Sequence, residues 1–292
     1  MSSETGKVLV AGASGRLGRH VLSELAARGR ATRALVRDAA RVEGAGASEV
    51  FVGDARRAES LRGACEGVGA VVSALGASLA LGLTPGGATF REVDLRANLN
   101  LLAEAKRAGV GKFVYVSLYG AEALRGLAYV DAHEEFVAAL RSSGLDHAVV
   151  RPTGFFYVFG EIFKMAARGR VALVGDGSAR TNPVHERDVA RACADALDAG
   201  VKELAVGGPE TYTRRGAAEL AFGALGRPPK ISSLPPRVVL ALTAPLKLFD
   251  RRLYDLLEFG VAASTNDLVA PPYGTRSLAE YFRGLAAGAG EV

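Results

Sequence analysis

Along the first half of the chain, short apolar runs alternate with longer stretches in which apolar residues recur every three or four positions. "KVLVAGA" has the pattern of a buried strand, and "GRHVLSELAARG" behind it has helical spacing. The alternation continues with strands at "ATRALVRD", "SEVFVGD", "GAVVSALG", "KFVYVSLYG" and "DHAVVRPTGFF". Helices are predicted at "RRAESLRGACEGV", "NLNLLAEAKRAGV" and "YVDAHEEFVAALRSSG". The last of these closes on an arginine and a glycine, which suit the negative end of a helix dipole and a left-handed cap. Strands spaced this way are parallel and joined by right-handed crossovers, because neither face of such a sheet can stay bare. The pattern therefore predicts an α/β fold, a doubly wound parallel sheet over residues 1–153. A smaller, mainly helical, substrate-facing part follows over 154–292, with "ERDVARACADALDAG" as a helix and 201–206 returning as a strand to the main sheet.

Composition narrows the function. A chain of 292 residues, 49% hydrophobic and 23% charged, can bury a sizeable core as a monomer or a homodimer. The net charge of +5 is spread along the chain, no basic run carries interleaved aromatics, and there is no Trp. This argues against nucleic acid as a partner and for a small anionic ligand or a soluble surface. Cys65 and Cys193 fall in stretches of helical spacing, far apart and outside any CxxC, so they read as buried thiols; no metal is expected. The first residues lack the apolar core of a signal peptide, which predicts a cytoplasmic protein. The apolar segment 234–259 is interrupted by Pro245 and Lys247, so no stable membrane span is expected. Short helices packed on the core or on a subunit partner fit it better than an interfacial membrane helix.

Chemistry first enters at "VLVAGASGRLGRHVL". Gly12, Gly15 and Gly18 follow the first strand and open a helix. In that setting the first allows a tight turn, the second lets a pyrophosphate approach the backbone, and the third lets helix and strand pack closely. Ser14, Arg16 and Leu17 complete the loop, and the positive helix end faces the phosphates. The second strand should end at the adenosine ribose, where an NAD site places a carboxylate. Here Arg37 stands at the tip, with Asp38 one residue later. A planar guanidinium suits a 2′-phosphate, so NADP(H) is expected in preference to NAD(H), with Arg16 as a second cation.

These residues resemble the atypical short-chain dehydrogenase/reductases, in the NmrA-like group of NAD(P)H-binding proteins. The resemblance rests on "GASGRLG" (12–18), "LVRD" (35–38), "VGD" (52–54), "VSALG" (72–76), "AEAKRAGVGKFVYVS" (103–117) and "SGLDHAVVRPTGFF" (143–156). It implies that Asp54 recognises adenine, that Ala74, Leu75 and Gly76 lie along the cofactor ribose, and that Pro152, Thr153 and Gly154 border the nicotinamide. It also implies that Ser117 is the catalytic serine. "GDGSARTNPVHERDVA" (175–190) resembles the wall of the substrate site. There Asp188 is expected to start a helix and His185 to hold the loop, while Phe155 and Phe156 line the pocket or enter the core.

The superfamily's proton-donating tyrosine stands four residues before a lysine, about 6 Å apart on one helix face. In "YVDAHEEF" Tyr129 and His133 keep that spacing, and the register against "SGLD" places His133 where the lysine belongs. Histidine can bind the ribose or pass a proton, but it is not a permanent cation at neutral pH. A weakened, pH-sensitive donor is therefore expected, with Tyr119 as an alternative. The chain accordingly reads as an NADPH-dependent reductase of a small, fairly apolar carbonyl or conjugated double bond. The missing lysine leaves a non-catalytic NADP(H) sensor or assembly factor as the alternative, and an epimerase or isomerase with retained cofactor as a weaker one.

Overall fold

Buried β-branched runs make the central sheet of the computed structural model, which describes residues 6–76 and 89–288. The residues read for a leader, 1–5, lie outside the described ones. Strands β1 (Lys7–Ala11), β2 (Thr32–Val36), β3 (Glu49–Val52), β4 (Val68–Ser73), β5 (Lys112–Val116) and β6 (Asp146–Pro152) are all parallel. Two short pairs stand apart from them: β7 (Val171–Val174) with β11 (Ile231–Leu234), and β8 (Arg180–Thr181) with β10 (Tyr212–Thr213). Strand β9 (Glu203–Val206) adds to the main sheet beside β6, giving the order β3-β2-β1-β4-β5-β6-β9. The order reverses between β1 and β4, and in such sheets the crevice beyond the carboxyl ends of the two reversing strands is where ligands bind.

Period-two alternation sends neighbouring residues of one strand into two cores. Val8 and Val10 join Val114 and Val150 under helices α1 (Arg16–Ala27) and α5 (Glu186–Asp198). Leu9 and Ala11 join Val71, Phe113 and Tyr115 on the opposite face, under α2 (Ala97–Arg107) and α3 (Ala128–Arg141). A π-helical turn, Arg91–Arg96, leads into α2. Beyond the sheet, α4 (Phe156–Ala167), α6 (Arg214–Ala224) and α10 (Leu278–Ala286) share a third core rich in phenylalanine. The remaining helices are α7 (Pro236–Thr243), α8 (Leu246–Phe249) and α9 (Arg251–Thr265). Among the described residues no helix is long and apolar enough to cross a membrane.

One expected helix is corrected. "RRAESLRGACEGV" is not a helix: only a 3-10 turn, Ala58–Leu61, forms, and Cys65 lies in the turns that follow. Gly63 and Gly67 adopt φ of +85° and +69°, which no right-handed helix allows. The Arg33 guanidinium instead takes the carbonyls of Ala64 (2.7 Å) and Glu66 (2.9 Å), while the Glu104 carboxylate accepts the Gly63 N–H at 2.8 Å. Side chains thus satisfy backbone groups that a helix would have paired internally. For Phe156 the sequence leaves open a place against a pocket or in the core. It begins α4 and is only 1% exposed, so it belongs to the core. Cys65 and Cys193 are both buried free thiols, and burial pushes each up to about 12.

Candidate cofactor and active site

The glycine loop has no room for side chains where it meets the sheet. A Cβ on Gly12 would lie 2.5 Å from the Ala74 carbonyl oxygen, and one on Gly18 would lie 2.1 Å from that of Gly12. Gly12 is also held at φ +76°. The turn is closed by the Gly15 N–H donating to the Gly12 carbonyl at 2.9 Å. At Gly15, the N-cap of α1, no side chain caps the helix, and its first turn carries no acidic residue. The leading N–H groups of α1 therefore point at the crevice between β1 and β4 without a competing carboxylate. This cradle fits a pyrophosphate: backbone donors, a positive helix end, and no Cβ in the way.

At the end of β2, Arg37 is exposed and makes no hydrogen bond or ion pair among the described residues. Its neighbour Asp38 is occupied, because its carboxylate accepts the Ala40 N–H at 3.1 Å and caps a 3-10 turn. Asp54, beyond β3, forms a close pair with Arg56 and accepts the Arg56 N–H at 3.0 Å. The hydrogen bond from Arg56 holds this carboxyl below its ordinary range, and the charge of Arg37 adds to the effect. An open cavity of about 350 Å³ lies here, lined by Asp54, Arg56, Arg57, Glu92 and Arg96. Three guanidiniums against two carboxylates leave this end of the crevice net positive.

At the other end, His133 is buried inside a polar cluster that the sequence did not reveal. Its Nδ1 lies 2.6 Å from the Tyr115 hydroxyl, and its Nε2 lies 3.2 Å from Asp94 Oδ1, near enough for an ion pair although not aligned as a hydrogen bond. Both Tyr115 and Asp94 are fully buried. With the phenol donating to Nδ1, the ring proton lies on Nε2 and faces the carboxylate. Nδ1 is taken by the phenol, and buried Nε2 lies beside Asp94 with no hydrogen bond among the described residues. Asp94 is fixed from the sheet side: Ser73 donates to Asn98, whose amide donates to the Asp94 carbonyl at 2.9 Å. A Cβ on Gly76 would come within 3.3 Å of Asp94 Oδ1, so the loop after β4 runs directly past this cluster.

Tyr129 lies one helical turn before His133 and packs its ring edge-on against the imidazole, with centroids 4.7 Å apart. Phe90 (5.1 Å) and Phe259 of α9 (4.6 Å) hold the same ring from other sides. The Tyr129 hydroxyl makes no hydrogen bond among the described residues. Burial, with the charge of Asp94 and the neighbouring Tyr157 adding to it, raises its pKa well above the usual 10. Tyr157 closes the circuit: it stacks on Phe155, carries the Arg16 guanidinium 5.6 Å over its ring, and is pushed up to about 12 by burial. Arg16 and Tyr157 thus link the glycine loop to the neighbourhood of Tyr129, while His133 and Asp94 lie buried behind Tyr129 and Gly76.

Ser117, expected as the catalytic serine, is engaged by two charged side chains. Its hydroxyl donates to Glu134 and accepts from Arg151, both at 3.2 Å. Arg151 also forms two bonds with Glu134 (2.7 and 3.1 Å) and a close pair with Glu203, tying β6 to α3 and β9. The serine is thus a member of an ion cluster, with Glu134 as its partner. Tyr119 is half-buried, and its backbone N–H donates to the Pro152 carbonyl at 2.9 Å. Thr153 donates its hydroxyl to the Asn182 carbonyl at 2.6 Å, and the Gly154 carbonyl accepts the Val184 N–H at 2.9 Å. The turn after β6 is therefore pinned to the second part of the chain. His185 caps α5 by accepting the Arg187 N–H at 3.0 Å, and buried Asp188 accepts from Thr275 and Arg276. Both help to hold this loop in place. The partners missed by sequence reasoning are Tyr115, Asp94 and Arg151. One signal was available for Tyr115: a phenol two residues before Ser117 in a central strand shares its face and needs a polar partner.

Residues 12–200 match the model of a family described as NAD(P)H-binding. The chain belongs to this family. It is of the atypical short-chain dehydrogenase/reductase type, and the proteins it resembles include reductases. Among family relatives, the chloroplastic divinyl chlorophyllide a 8-vinyl-reductase of Zea mays is 30% identical over 322 aligned positions, covering 97% of this chain and 79% of that protein. The photosystem II assembly factor Ycf39 of Synechocystis sp. is 30% identical over 152 positions, covering 51% of this chain and 45% of that one. The solved NADPH-dependent quinone oxidoreductase QOR2 of Escherichia coli, in complex with NADPH, shares the fold with a TM-score of 0.78 at 22% identity, over 95% of this chain and 99% of that one.

Proposed function

We infer that the chain is an NADPH-dependent reductase of a flat, largely apolar substrate bearing a conjugated carbon–carbon double bond or a quinone-like carbonyl. The observation that carries this reading is Tyr129: a protonated phenol with no hydrogen bond among the described residues, held by three rings at the crevice. The wall around it, formed by Phe155, Tyr157 and Phe259, is aromatic and suits a planar apolar ligand. The names of two similar proteins point the same way, one to reduction of a vinyl group and the other to a quinone.

When bound, the nicotinamide cofactor supplies the hydride. Gly12, Gly15 and Gly18, with the leading N–H groups of α1, would hold its pyrophosphate; Ser14 and Leu17 belong to the same loop. Arg37 would pair with a 2′-phosphate, since its neighbour Asp38 is engaged in capping its own turn and Asp54 is paired with Arg56. Ala74, Leu75 and Gly76 would border the ribose, and Pro152, Thr153 and Gly154 the nicotinamide side. Tyr129 donates the proton that completes the reduction, with its ring fixed by His133, Phe90 and Phe259. His133 does not replace the lysine as a ribose ligand in this reading. It positions Tyr129 by packing, and is itself fixed by Tyr115 and Asp94. General acid catalysis of this kind contributes about 10²–10⁴-fold.

A non-catalytic NADP(H)-binding role is the second reading, and one observation favours it: both nitrogens of His133 face protein groups. The two separate on one experiment. NADPH oxidation is followed with quinones, enones and vinyl-substituted tetrapyrroles, using wild type and Tyr129→Phe. Turnover that drops about a hundredfold or more in the variant supports the reductase reading. Tight NADPH binding with no consumption of any substrate would overturn it.

A further inference from the structure

The face formed by α7 and α8 has properties that the reductase reading does not use. Neither helix contains a buried residue. Val238 (46% exposed) and Leu242 (77%) lie one turn apart on α7, and Leu248 (85%) and Phe249 (84%) follow just past Pro245. With Leu234 at 44%, five of the ten large apolar side chains exposed among the described residues fall within sixteen consecutive positions. Scattered apolar side chains on a surface are ordinary, but a contiguous group is an interaction site. The opposite side of both helices rests on α9, so the apolar stripe is presented outward by a supported scaffold.

Charge decides what this face meets. From Arg227 to Arg252 the chain carries six basic residues (Arg227, Lys230, Arg237, Lys247, Arg251 and Arg252) and one acidic residue, Asp250. Asp250 is engaged, its carboxylate accepting the Leu253 N–H at 3.0 Å to cap α9. Lys247 sits at the tip itself, between Leu246 and Leu248, with its ammonium 4.4 Å from the Tyr254 ring centroid. A second copy docking through the same face would bring two basic rims together. An anionic surface with an apolar interior would instead satisfy both components at once.

We propose that the α7–α8 hairpin is a peripheral membrane-docking element that inserts Leu242, Leu248 and Phe249 into the interface of an anionic bilayer, with Arg237 and Lys247 against the headgroups. Docking needs no spanning helix, and it stands independently of the chemistry assigned to Tyr129. Each buried apolar side chain contributes roughly tenfold or more to such binding, and each basic residue near the surface about fivefold.

The test is flotation of the full chain with phosphatidylcholine vesicles, with and without phosphatidylglycerol, at low and high salt. The expected result is binding to the anionic vesicles alone, weakened by salt. Leu248→Ser combined with Phe249→Ser should reduce it about a hundredfold, and Arg237→Glu with Lys247→Glu about as much, while NADPH affinity stays unchanged. No binding to anionic vesicles would overturn the proposal. So would binding that survives both double variants, or light scattering showing a dimer that the Leu248 and Phe249 substitutions dissolve.

Discussion

His133 Nδ1 and the Tyr115 hydroxyl lie 2.6 Å apart in the core, with Asp94 on the far side of the imidazole. His133, read from the sequence as standing in place of a lysine, is therefore joined to the inside of the protein. Replacing it by Ala removes the group between a buried phenol and a buried carboxylate, at an expected cost of about 2–4 kcal/mol. Tyr129→Phe, which deletes a hydroxyl without a partner among the described residues, should cost less than about 1 kcal/mol. Urea unfolding of the two variants gives the comparison, and equal losses would contradict this assignment of roles.

The pH profile follows from the same cluster. Tyr129 is raised above its ordinary value by burial first, then by Asp94 and Tyr157. A donor works only while protonated, and a raised pKa keeps the proton on as pH increases. Turnover at saturating cofactor should therefore show no loss assignable to this phenol between about pH 6 and pH 9. A falling limb inside that window that disappears in Tyr129→Phe would mean that the phenol is acidified after all.

Two glycines of one loop should behave differently. Gly12→Ala meets the Ala74 carbonyl at 2.5 Å and a φ of +76°, so fold and cofactor binding should fail together. At Gly15 the added Cβ would lie 3.2 Å from the Gly12 oxygen, a much milder contact. Gly15→Ala should keep thermal stability within about 1 kcal/mol of wild type and lose NADPH affinity by fluorescence titration. If it binds NADPH normally, the backbone at Gly15 is not the phosphate cradle.

Arg37→Ala should weaken NADPH binding about 10- to 100-fold and leave NADH affinity nearly unchanged, the scale of one charge-assisted hydrogen bond. Calorimetric titration with both cofactors measures this directly. An equal loss for both would assign Arg37 to the shared part of the dinucleotide, and no loss would move 2′-phosphate recognition elsewhere along the basic end of the crevice.

The sheet was legible because parallel strands buried on both faces leave uninterrupted apolar runs, and because Gly12, Gly15 and Gly18 follow the first of them. The surroundings of His133 were not. Register along α3 locates residue 133, but nothing local says that Asp94, thirty-nine positions earlier in a π-helical turn, will face its ring. Ser117 shows the same limit. Its place at the end of β5 is readable, whereas its engagement by Arg151 depends on the long-range packing of β6 against α3. Similarly, the apolar pattern of 234–259 identifies helices without telling which of their faces stays uncovered.

Between β3 and β4 one guanidinium does what a helix does elsewhere in the sheet. Arg33 holds the carbonyls of Ala64 and Glu66 and pairs with Glu49 on the neighbouring strand. In a helix each hydrogen bond is backed by the next, so the loss of one is absorbed locally. This crossover has no such redundancy. A single side-chain failure there would release two backbone carbonyls at once and leave the edge-strand carboxylate of Glu49 to Lys7 alone, making Arg33 the keystone of this edge of the sheet.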